Sequence, residues 1–333
     1  MPFADLYGQD AVKKSLQQSL RLKKLPPSLL FSGSDGEGMR QAALILAQAL
    51  NCFEAQDDAC GRCSACQAIA KGNFPDVIEV GGEKKKNKKS IGVEETRELR
   101  QLAMMRPMVG RCRVFLINEV EMMTMEAANS LLKILEEPPG FSYFILITTN
   151  LDLILPTIQS RCRLFYFSPL SPQEIEKALL ANGVAPERAK LTALLAEGSI
   201  ERAFSLDWDK IMEQRRCAWE FFCQLNFERA TGFTEMMGSL RTERQKKELE
   251  ATLRLFLTFY RDLLLLKQKG EESLLLNVDL TADLKELSSR ISTAFCLKGV
   301  ELTEETLTGL QRNLNPRLLA VYFSAQLRRF GRG

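Results

Sequence analysis

The chain has 333 residues, of which 45% are hydrophobic and 26% are charged, and its net charge is +3. These values describe a soluble globular protein of two or three domains, and they confine any nucleic-acid contact to a local patch. The chain contains no histidine, which excludes histidine-based triads, general bases and metalloprotease sites. It shows neither a signal-peptide pattern nor an apolar run of about 18 residues, so we expect a cytoplasmic protein.

A glycine-rich loop follows the first predicted helix, which spans residues 9–24. Residues 29–41 run from apolar residues through the loop into a helix, which is the layout of a phosphate-binding P-loop. The glycines that fit this motif are Gly33, Gly36 and Gly38. Met39 and Arg40 stand where the motif requires a lysine for the phosphates and a serine or threonine for Mg²⁺. The sequence therefore keeps the form of a P-loop without its two chemical groups.

Four of the nine cysteines fall between residues 52 and 66. They are Cys52, Cys60, Cys63 and Cys66. Four thiolates at this spacing suit a closed structural Zn²⁺ site, with no open position for catalysis. The alternatives are an iron–sulfur cluster and a chance group of buried thiols, and the tight spacing favours zinc.

A lysine-rich stretch follows the short strand predicted at 76–80. Residues 81–90 contain no apolar side chain, so they are predicted to form a loop. The five lysines between Lys84 and Lys89 suit either phosphate contacts or a solvated loop, and we favour the loop. The helix predicted at 93–105 has several arginines on or beside it, and they form a candidate DNA-contacting face. They are Arg97, Arg100 and Arg106.

Polar residues follow two of the later apolar strands. The later strands are predicted at 112–117, 143–150 and 163–167. Asn118 and Glu119 stand where P-loop ATPases place the acidic pair that binds Mg²⁺ and orients water, and Asn118 is neutral. Thr149 and Asn150 end the next strand, where the polar ends of parallel strands face a ligand crevice. Beyond Pro169 the pattern is entirely helical.

Two motifs resemble the clamp-loader AAA+ family. Residues 127–139, AANSLLKILEEPP, are similar to its A-A-N-A-L-L-K-x-L-E-E-P-P segment, and residues 160–162 are similar to its S-R-C motif. A four-cysteine insert after the P-loop helix is also typical of the bacterial members. The likeness covers residues 1–206, and the remaining helices match the family only loosely.

The resemblance implies a specific fold class and three domains. We expect residues 1–168 to form an α/β domain with an AAA+ P-loop-type parallel sheet. This domain would contain a zinc module at residues 52–66. A small helical lid domain is expected at 169–207. An all-α C-terminal oligomerisation domain, the collar of the assembly, is expected at 208–333.

Within the family, three departures favour the non-catalytic delta-prime type over the ATP-hydrolysing gamma/tau type. Met39 and Arg40 replace the P-loop pair, and Asn118 replaces an aspartate. Glu201 aligns with the phosphate-sensing arginine of the ATPase, although the alignment can slip by one residue onto Arg202. The alternatives are an ATP-hydrolysing gamma/tau-type subunit with an unusual P-loop and a zinc-bearing DNA-binding module unrelated to clamp loading.

The delta-prime resemblance also implies a role for a second site. We expect no ATPase activity and weak or absent nucleotide binding, with Arg40 as a possible phosphate partner. Arg161, next to Ser160, is expected to act in trans as an arginine finger on the ATP of a neighbouring ATPase subunit. The implied partners are the gamma/tau and delta subunits, with primer-template DNA and the sliding clamp reached through the complex.

Overall fold

The computed structural model describes residues 2–81, 90–227, 243–268, 270, 272–312 and 314–331. The chain divides into two compact units, Met1–Ser205 and Leu206–Gly333. The predicted Lys84–Lys89 loop lies outside the described residues. Among the described helices, none is both long enough and apolar enough to cross a membrane.

The first unit is built on a five-stranded sheet in which every pairing is parallel. Its strands are β1 Ser28–Gly33, β2 Val77–Val80, β3 Arg113–Ile117, β4 Ser142–Thr148 and β5 Arg163–Phe167. Their order across the sheet is β2-β3-β4-β1-β5. All residues of the interior strand β1 are buried, as its continuous apolar run predicts for a strand covered on both faces. The predicted parallel α/β sheet is therefore confirmed.

Helices cover both faces of this sheet. They are α1 Asp10–Arg21, α2 Gly36–Asn51, α3 Ser64–Ala70, α4 Val93–Ala103, α5 Met125–Glu136 and α6 Pro156–Gln159. On one face, Phe31 of β1 lies between Phe165 and Phe167 of β5, with ring centroids 5.7 and 4.9 Å away. On the other face, Phe115 stacks on Phe144 at 4.9 Å. These alternating aromatics form two cores, one on each side of the sheet.

The first helix is shorter than the predicted span of 9–24. It ends at Arg21, and its C-cap Leu22 is followed by Lys23 with φ of 52°. A left-handed residue cannot continue a right-handed helix, so the chain turns before it reaches the two prolines. The predicted helix therefore overran the observed end by three residues.

Three short helices with their own core complete the first unit. They are α7 Pro172–Ala181, α8 Pro186–Leu195 and α9 Ile200–Ser205. Ser171 begins α7 with a capping box, in which its hydroxyl and the carboxylate of Glu174 each accept from the other's backbone N–H. Ile175, Leu179 and Ile200 lie in the buried cluster that these helices share.

Among the described residues, the second unit contains helices and connecting loops but no strand. Its helices are α10 Trp208–Phe227, α11 Glu243–Lys267, α12 Thr281–Arg290, α13 Thr293–Gln311 and α14 Pro316–Gly331. Phe222 lies at the centre of its core, with Phe256, Phe259 and Tyr260 around it at centroid distances of 4.7 to 5.3 Å. The predicted all-helical C-terminal region is confirmed.

Candidate functional site

A pocket of about 670 Å³ opens at the carboxyl ends of the strands in the first unit. This is the edge at which open parallel sheets bind their ligands. Its lining comes from the glycine loop and α2, the ends of β2, β3 and β4, and α9. The lining residues are Gly36, Glu37, Arg40, Glu79, Gly81, Asn118, Glu119, Glu121, Met122, Ile147, Thr149 and Glu201.

The glycine loop keeps the shape of a P-loop for reasons of packing. A Cβ atom at Gly33 would lie 2.5 Å from the carbonyl oxygen of Phe167, so β1 can approach β5 only with glycine here. A Cβ atom at Gly38 would lie 2.7 Å from a carboxylate oxygen of Asp35. Met39 is fully buried in the core on this face of the sheet, where a P-loop lysine would extend to the phosphates. The loop is preserved, but its key side chain is turned into the interior.

Arg40 is occupied by two carboxylates from its own chain. Its Nε and Nη2 donate to the two oxygens of Glu79, the Nη2 bond being 3.1 Å long, and its Nη1 donates to Glu37 at 2.7 Å. The hydrogen bond to Glu79 and the weaker one to Glu37 outweigh partial burial and raise the pKa of the Arg40 guanidinium. The expectation that Arg40 serves as a phosphate partner has to contend with these contacts, because two carboxylates already compensate its positive charge.

Asn118 extends the same cluster from the end of β3. Its Nδ2 donates to Glu79 Oε1 at 2.9 Å, while its buried Oδ1 has no hydrogen-bond partner among the described residues. Glu119 follows with φ of 52°, so the chain turns sharply after the strand. Glu79 thus links Arg40 and Asn118, the two residues that align with Mg²⁺ ligands of P-loop ATPases.

The described lining of the pocket is strongly acidic. Arg40 is its one cationic side chain, and five carboxylates surround the same space. The carboxylates belong to Glu37, Glu79, Glu119, Glu121 and Glu201. A nucleoside triphosphate carries several negative charges, so this field opposes its entry.

The polar residues predicted to face the crevice are held by local contacts. Thr149 donates to Glu121 Oε1 from both its N–H and its hydroxyl, at 3.1 and 2.8 Å. Asn150 caps a short 3-10 turn by accepting from the N–H of Asp152 at 3.2 Å. Thr149 lines the pocket, whereas Asn150 does not.

The helix α9 brings Glu201 to the pocket. Ser199, just before the helix, donates its hydroxyl to Asp35 at 3.1 Å and so ties α9 to the glycine loop. Glu201 lines the pocket, whereas Arg202 forms an ion pair with Glu197 at 3.0 Å and is absent from the lining. The carboxylate of Glu201 therefore lies at the pocket, where the alternative alignment would have placed the guanidinium of Arg202.

Arg161 lies at the surface, just after α6. Its side chain is 31% exposed and pairs with Glu136, the last residue of α5. Its Nη1 donates to the carbonyl of Thr157 at 2.9 Å and to Ser160 Oγ at 3.4 Å. Burial raises the pKa of the neighbouring Cys162 to about 12, so this cysteine remains a neutral thiol.

An apolar surface continues from Arg161 along β5. Leu164 and Tyr166 are 42% and 64% exposed, while the alternating Phe165 and Phe167 are buried. β5 pairs only with β1 and lies at the edge of the sheet. The edge strand that begins two residues after Arg161 therefore exposes a leucine and a tyrosine.

The four predicted metal-binding cysteines come together beside α2 and α3. Their Sγ atoms all lie within 4.8 Å of one another, and Cys60 Sγ is 4.0 Å from Cys66 Sγ. Zn–S bonds of about 2.3 Å place tetrahedral sulfur ligands about 3.8 Å apart, so this set fits a single Zn²⁺. Backbone N–H groups donate to the sulfurs of Cys52, Cys60 and Cys63. None of the nine cysteines, all of which lie within the described ranges, forms a disulfide, so no disulfide competes for this group.

The arginine face proposed for DNA contact lies on α4 and the turn after it. Arg97 and Arg106 are exposed, and Arg100 is half-buried. The same turn exposes Met104, Met105 and Met108, each by more than half of its surface. This face is therefore mixed, with apolar side chains between the arginines.

Sequence reasoning missed three carboxylates that shape these sites. Glu79 is a charged residue inside the apolar strand β2. Its position near the carboxyl end of that strand could have identified it as a residue of the ligand-binding edge. Glu121 and Glu136 gave no comparable signal, because their partners Thr149 and Arg161 lie more than 20 residues away in the chain.

A parallel sheet in this order, a P-loop-shaped turn before α2 and helical additions at its end define a protein of the AAA+ P-loop class. A family model described as "DNA polymerase III, delta subunit" matches residues 8–171. The delta' subunit of Bacillus subtilis DNA polymerase III is 31% identical over 84% of this chain and 83% of its own length. The chain belongs to the family of DNA polymerase III clamp-loader subunits.

Other relatives match a smaller part of the chain. The tau subunit of DNA polymerase III from Bacillus subtilis is 38% identical over 61% of this chain, which is 37% of its own length. The chain therefore spans about a third of that longer relative. A solved gamma-subunit-related protein of Thermotoga maritima aligns with 96% of this chain and 99% of its own, at 18% identity and a TM-score of 0.41.

Proposed function

We propose that this chain is a non-catalytic, delta-prime-type subunit of a clamp loader that acts as a rigid stator. The observation that carries the proposal is the Arg40–Glu79–Asn118 cluster, which occupies the metal position of the pocket with a built-in cation. The delta' relative also aligns along most of both chains, whereas the tau relative aligns over 61% of this one.

The proposed lack of ATPase activity has a chemical basis. Phosphoryl transfer needs a lysine on the β- and γ-phosphates, a hydroxyl and a carboxylate on Mg²⁺, and a positioned water. Met39 is in the core, Arg40 is paired, and Asn118 is neutral. Each change removes electrostatic stabilisation of the transferred phosphoryl group, and the acidic lining adds repulsion.

The proposed contribution to ATP hydrolysis comes from Arg161 acting on a neighbouring ATPase subunit. A permanently charged guanidinium at the surface suits stabilisation of a γ-phosphate supplied by another chain. Leu164 and Tyr166 beside it supply apolar area of the kind that a subunit interface buries. The gamma/tau type is the proposed neighbour.

The proposed cofactor is one structural Zn²⁺ held by the four clustered cysteines. Gln48 of α2 donates to the carbonyl of Cys66 at 2.8 Å, so the metal would brace α3 against α2. The ion would have no vacant coordination position, and its contribution would be to folding.

The C-terminal helices are proposed to assemble with the other subunits. On α14, Leu318, Val321 and Tyr322 are 69%, 51% and 46% exposed. Val321 and Tyr322 follow Leu318 by three and four residues, so both lie on its side of the helix. An exposed apolar stripe of this kind suits helix-to-helix contact with another chain. The proposed partners are the gamma/tau and delta types.

Reconstitution tests this function. The chain is mixed with gamma/tau-type and delta-type subunits of the same organism, and mass and primed-DNA-stimulated ATP hydrolysis are measured. We expect a stable complex that hydrolyses ATP only when the gamma/tau type is present, and no hydrolysis by the isolated chain. Phosphate release by the isolated chain above that of a boiled control would instead support the gamma/tau-type ATPase with an unusual P-loop.

A further inference from the structure

The guanidinium of Arg161 is almost fully engaged by its own chain. Arginine carries five N–H donors. Nε and Nη2 both donate to Glu136 Oε1, the Nε bond being 2.8 Å long, and Nη1 donates to Thr157 O and Ser160 Oγ. These contacts use four donors and leave one N–H of Nη2 for an external acceptor.

We infer that Glu136 is a positioning residue that holds Arg161 ready for an anion supplied by another subunit. This inference rests on the proposed finger role of Arg161 and assigns a function to its partner. Arginine has high rotamer entropy, and a side chain already fixed in one pose loses less of it on reaching a γ-phosphate. Glu136 and the Thr157 carbonyl fix that pose from two sides.

The backbone around both residues is itself restrained. Glu136 ends α5, and Pro138, two residues later, prevents the helix from continuing. On the opposite side, Gln159 of α6 donates to the carbonyls of Leu151 and Ile154 at 3.1 and 2.9 Å. The carboxylate and the guanidinium therefore meet between two anchored helix ends.

Glu136 could either position Arg161 or keep it from reaching a phosphate. The solvent exposure of the ion pair favours positioning. The two side chains are 31% and 47% exposed, and an ion pair in contact with water contributes little net stability. A phosphate in a subunit interface can accept from the remaining N–H while the pair stays in place. Glu136 thus sets the direction of the guanidinium without withholding it.

The experiment compares four variants in the complete reconstituted complex. Glu136→Ala removes the contact, and Glu136→Gln keeps a hydrogen-bond acceptor while removing the charge. Glu137→Ala is the matched control, because Glu137 is the adjacent exposed carboxylate. Arg161→Ala reports whether the finger itself operates. For each complex, kcat and KM for ATP are measured with primed DNA, and mass is measured to verify assembly.

We expect Glu136→Ala to lower kcat at the adjoining site by about 10-fold with an unchanged KM and normal assembly, as a misplaced catalytic group does. Glu136→Gln is expected to stay within about 2-fold of the parent, and Glu137→Ala to match it. If Arg161→Ala lowers kcat while Glu136→Ala matches or exceeds the parent, the positioning role is wrong. If Arg161→Ala itself changes nothing in an assembled complex, the finger role and the positioning role both fall.

Discussion

Arg40 donates from Nε and Nη2 to the two carboxylate oxygens of Glu79, which closes a bidentate ion pair between the P-loop helix and the end of β2. A bidentate arginine–carboxylate pair is among the stronger polar contacts in proteins. It lies where a P-loop ATPase keeps the hydroxyl and the metal ion. The replacement of the P-loop lysine and hydroxyl residue by Met39 and Arg40 is thus accompanied by an ion pair within the chain.

This pair predicts that the chain does not bind ATP tightly. At millimolar Mg²⁺, labelled ATP is expected to show no saturation up to about 1 mM, which corresponds to a binding free energy weaker than about −4 kcal/mol. The gamma/tau-type ATPase of the same organism serves as the positive control. A dissociation constant of about 10 µM or tighter, roughly −7 kcal/mol, would contradict the prediction.

A buried ion pair just before the start of β2 predicts a large stability effect. Asp76 is fully buried and accepts from the N–H groups of Met108, Val109 and Gly110 at 2.7 to 2.8 Å, and from Arg113 Nη2 at 2.9 Å. Asp76→Asn leaves the buried Arg113 charge uncompensated, so we expect a loss of about 3–5 kcal/mol in unfolding free energy by urea denaturation.

The control for this change is Asp152→Asn, because Asp152 is exposed and its carboxylate makes no described hydrogen bond. We expect it to change the unfolding free energy by less than about 0.5 kcal/mol. Equal effects of the two substitutions would show that the Asp76 network contributes no special stability.

The carboxyl group of Asp76 also predicts how acid changes the stability of the fold. Burial raises the pKa of Asp76, but the N–H donors and the Arg113 guanidinium outweigh it and hold the pKa below its ordinary value. Because the folded-state pKa is lowered, the stability it confers is present above the unfolded pKa of about 3.9 and is lost as pH falls through the folded value. Unfolding free energies measured from pH 5 downward should therefore fall more steeply for the parent than for Asp76→Asn. Parallel curves would count against this.

The cysteine cluster predicts one zinc ion per chain. Elemental analysis of protein purified without chelator should give a zinc-to-protein ratio of about one, with no iron and no visible charge-transfer absorption. Cys63→Ser should lose the metal and lower the thermal midpoint, because metal binding is coupled to folding. Cys217→Ser is the matched control, since that cysteine is exposed and lies in the other unit. Full zinc content in Cys63→Ser would exclude this ligand set.

The apolar stripe on α14 predicts the effect of a charge on assembly. Leu318→Glu places a carboxylate on the most exposed of the three stripe residues, and we expect it to reduce complex formation with the gamma/tau and delta types by 10-fold or more, about 1.4 kcal/mol. Ser289→Glu adds the same charge at an exposed position of α12 and should assemble normally. Equal assembly of both variants, seen by analytical ultracentrifugation, would place the interface elsewhere.

The sequence was informative where structure depends on local pattern. The apolar run before Gly33 predicted a strand, and the spacing of Cys60, Cys63 and Cys66 predicted sulfur atoms close together. The strand leads directly into the loop and helix that follow it, and short turns bring the cysteines together. Both features therefore depend on residues that are close in the chain. The same locality explains the error at α1, where a single left-handed residue, Lys23, ended the helix early.

The contacts that define the sites were not predictable in this way. Arg40 and Glu79 are 39 residues apart, and Arg161 and Glu136 are 25 residues apart. Such pairs form because strand order and helix packing bring distant side chains together, which no local pattern encodes. The sequence predicted that the P-loop lacked its chemistry, and the structure added what occupies its place.

The central proposal is that catalytic help passes from Arg161 to a neighbour's ATP. The most direct measurement is primed-DNA-stimulated ATP hydrolysis by the reconstituted complex with Arg161→Ala, beside Arg163→Ala as the matched exposed arginine two residues away. We expect both complexes to assemble, Arg163→Ala to hydrolyse ATP at the parental rate, and Arg161→Ala to lose about 10³-fold or more at the adjoining site. Parental hydrolysis by an assembled Arg161→Ala complex would contradict the proposal.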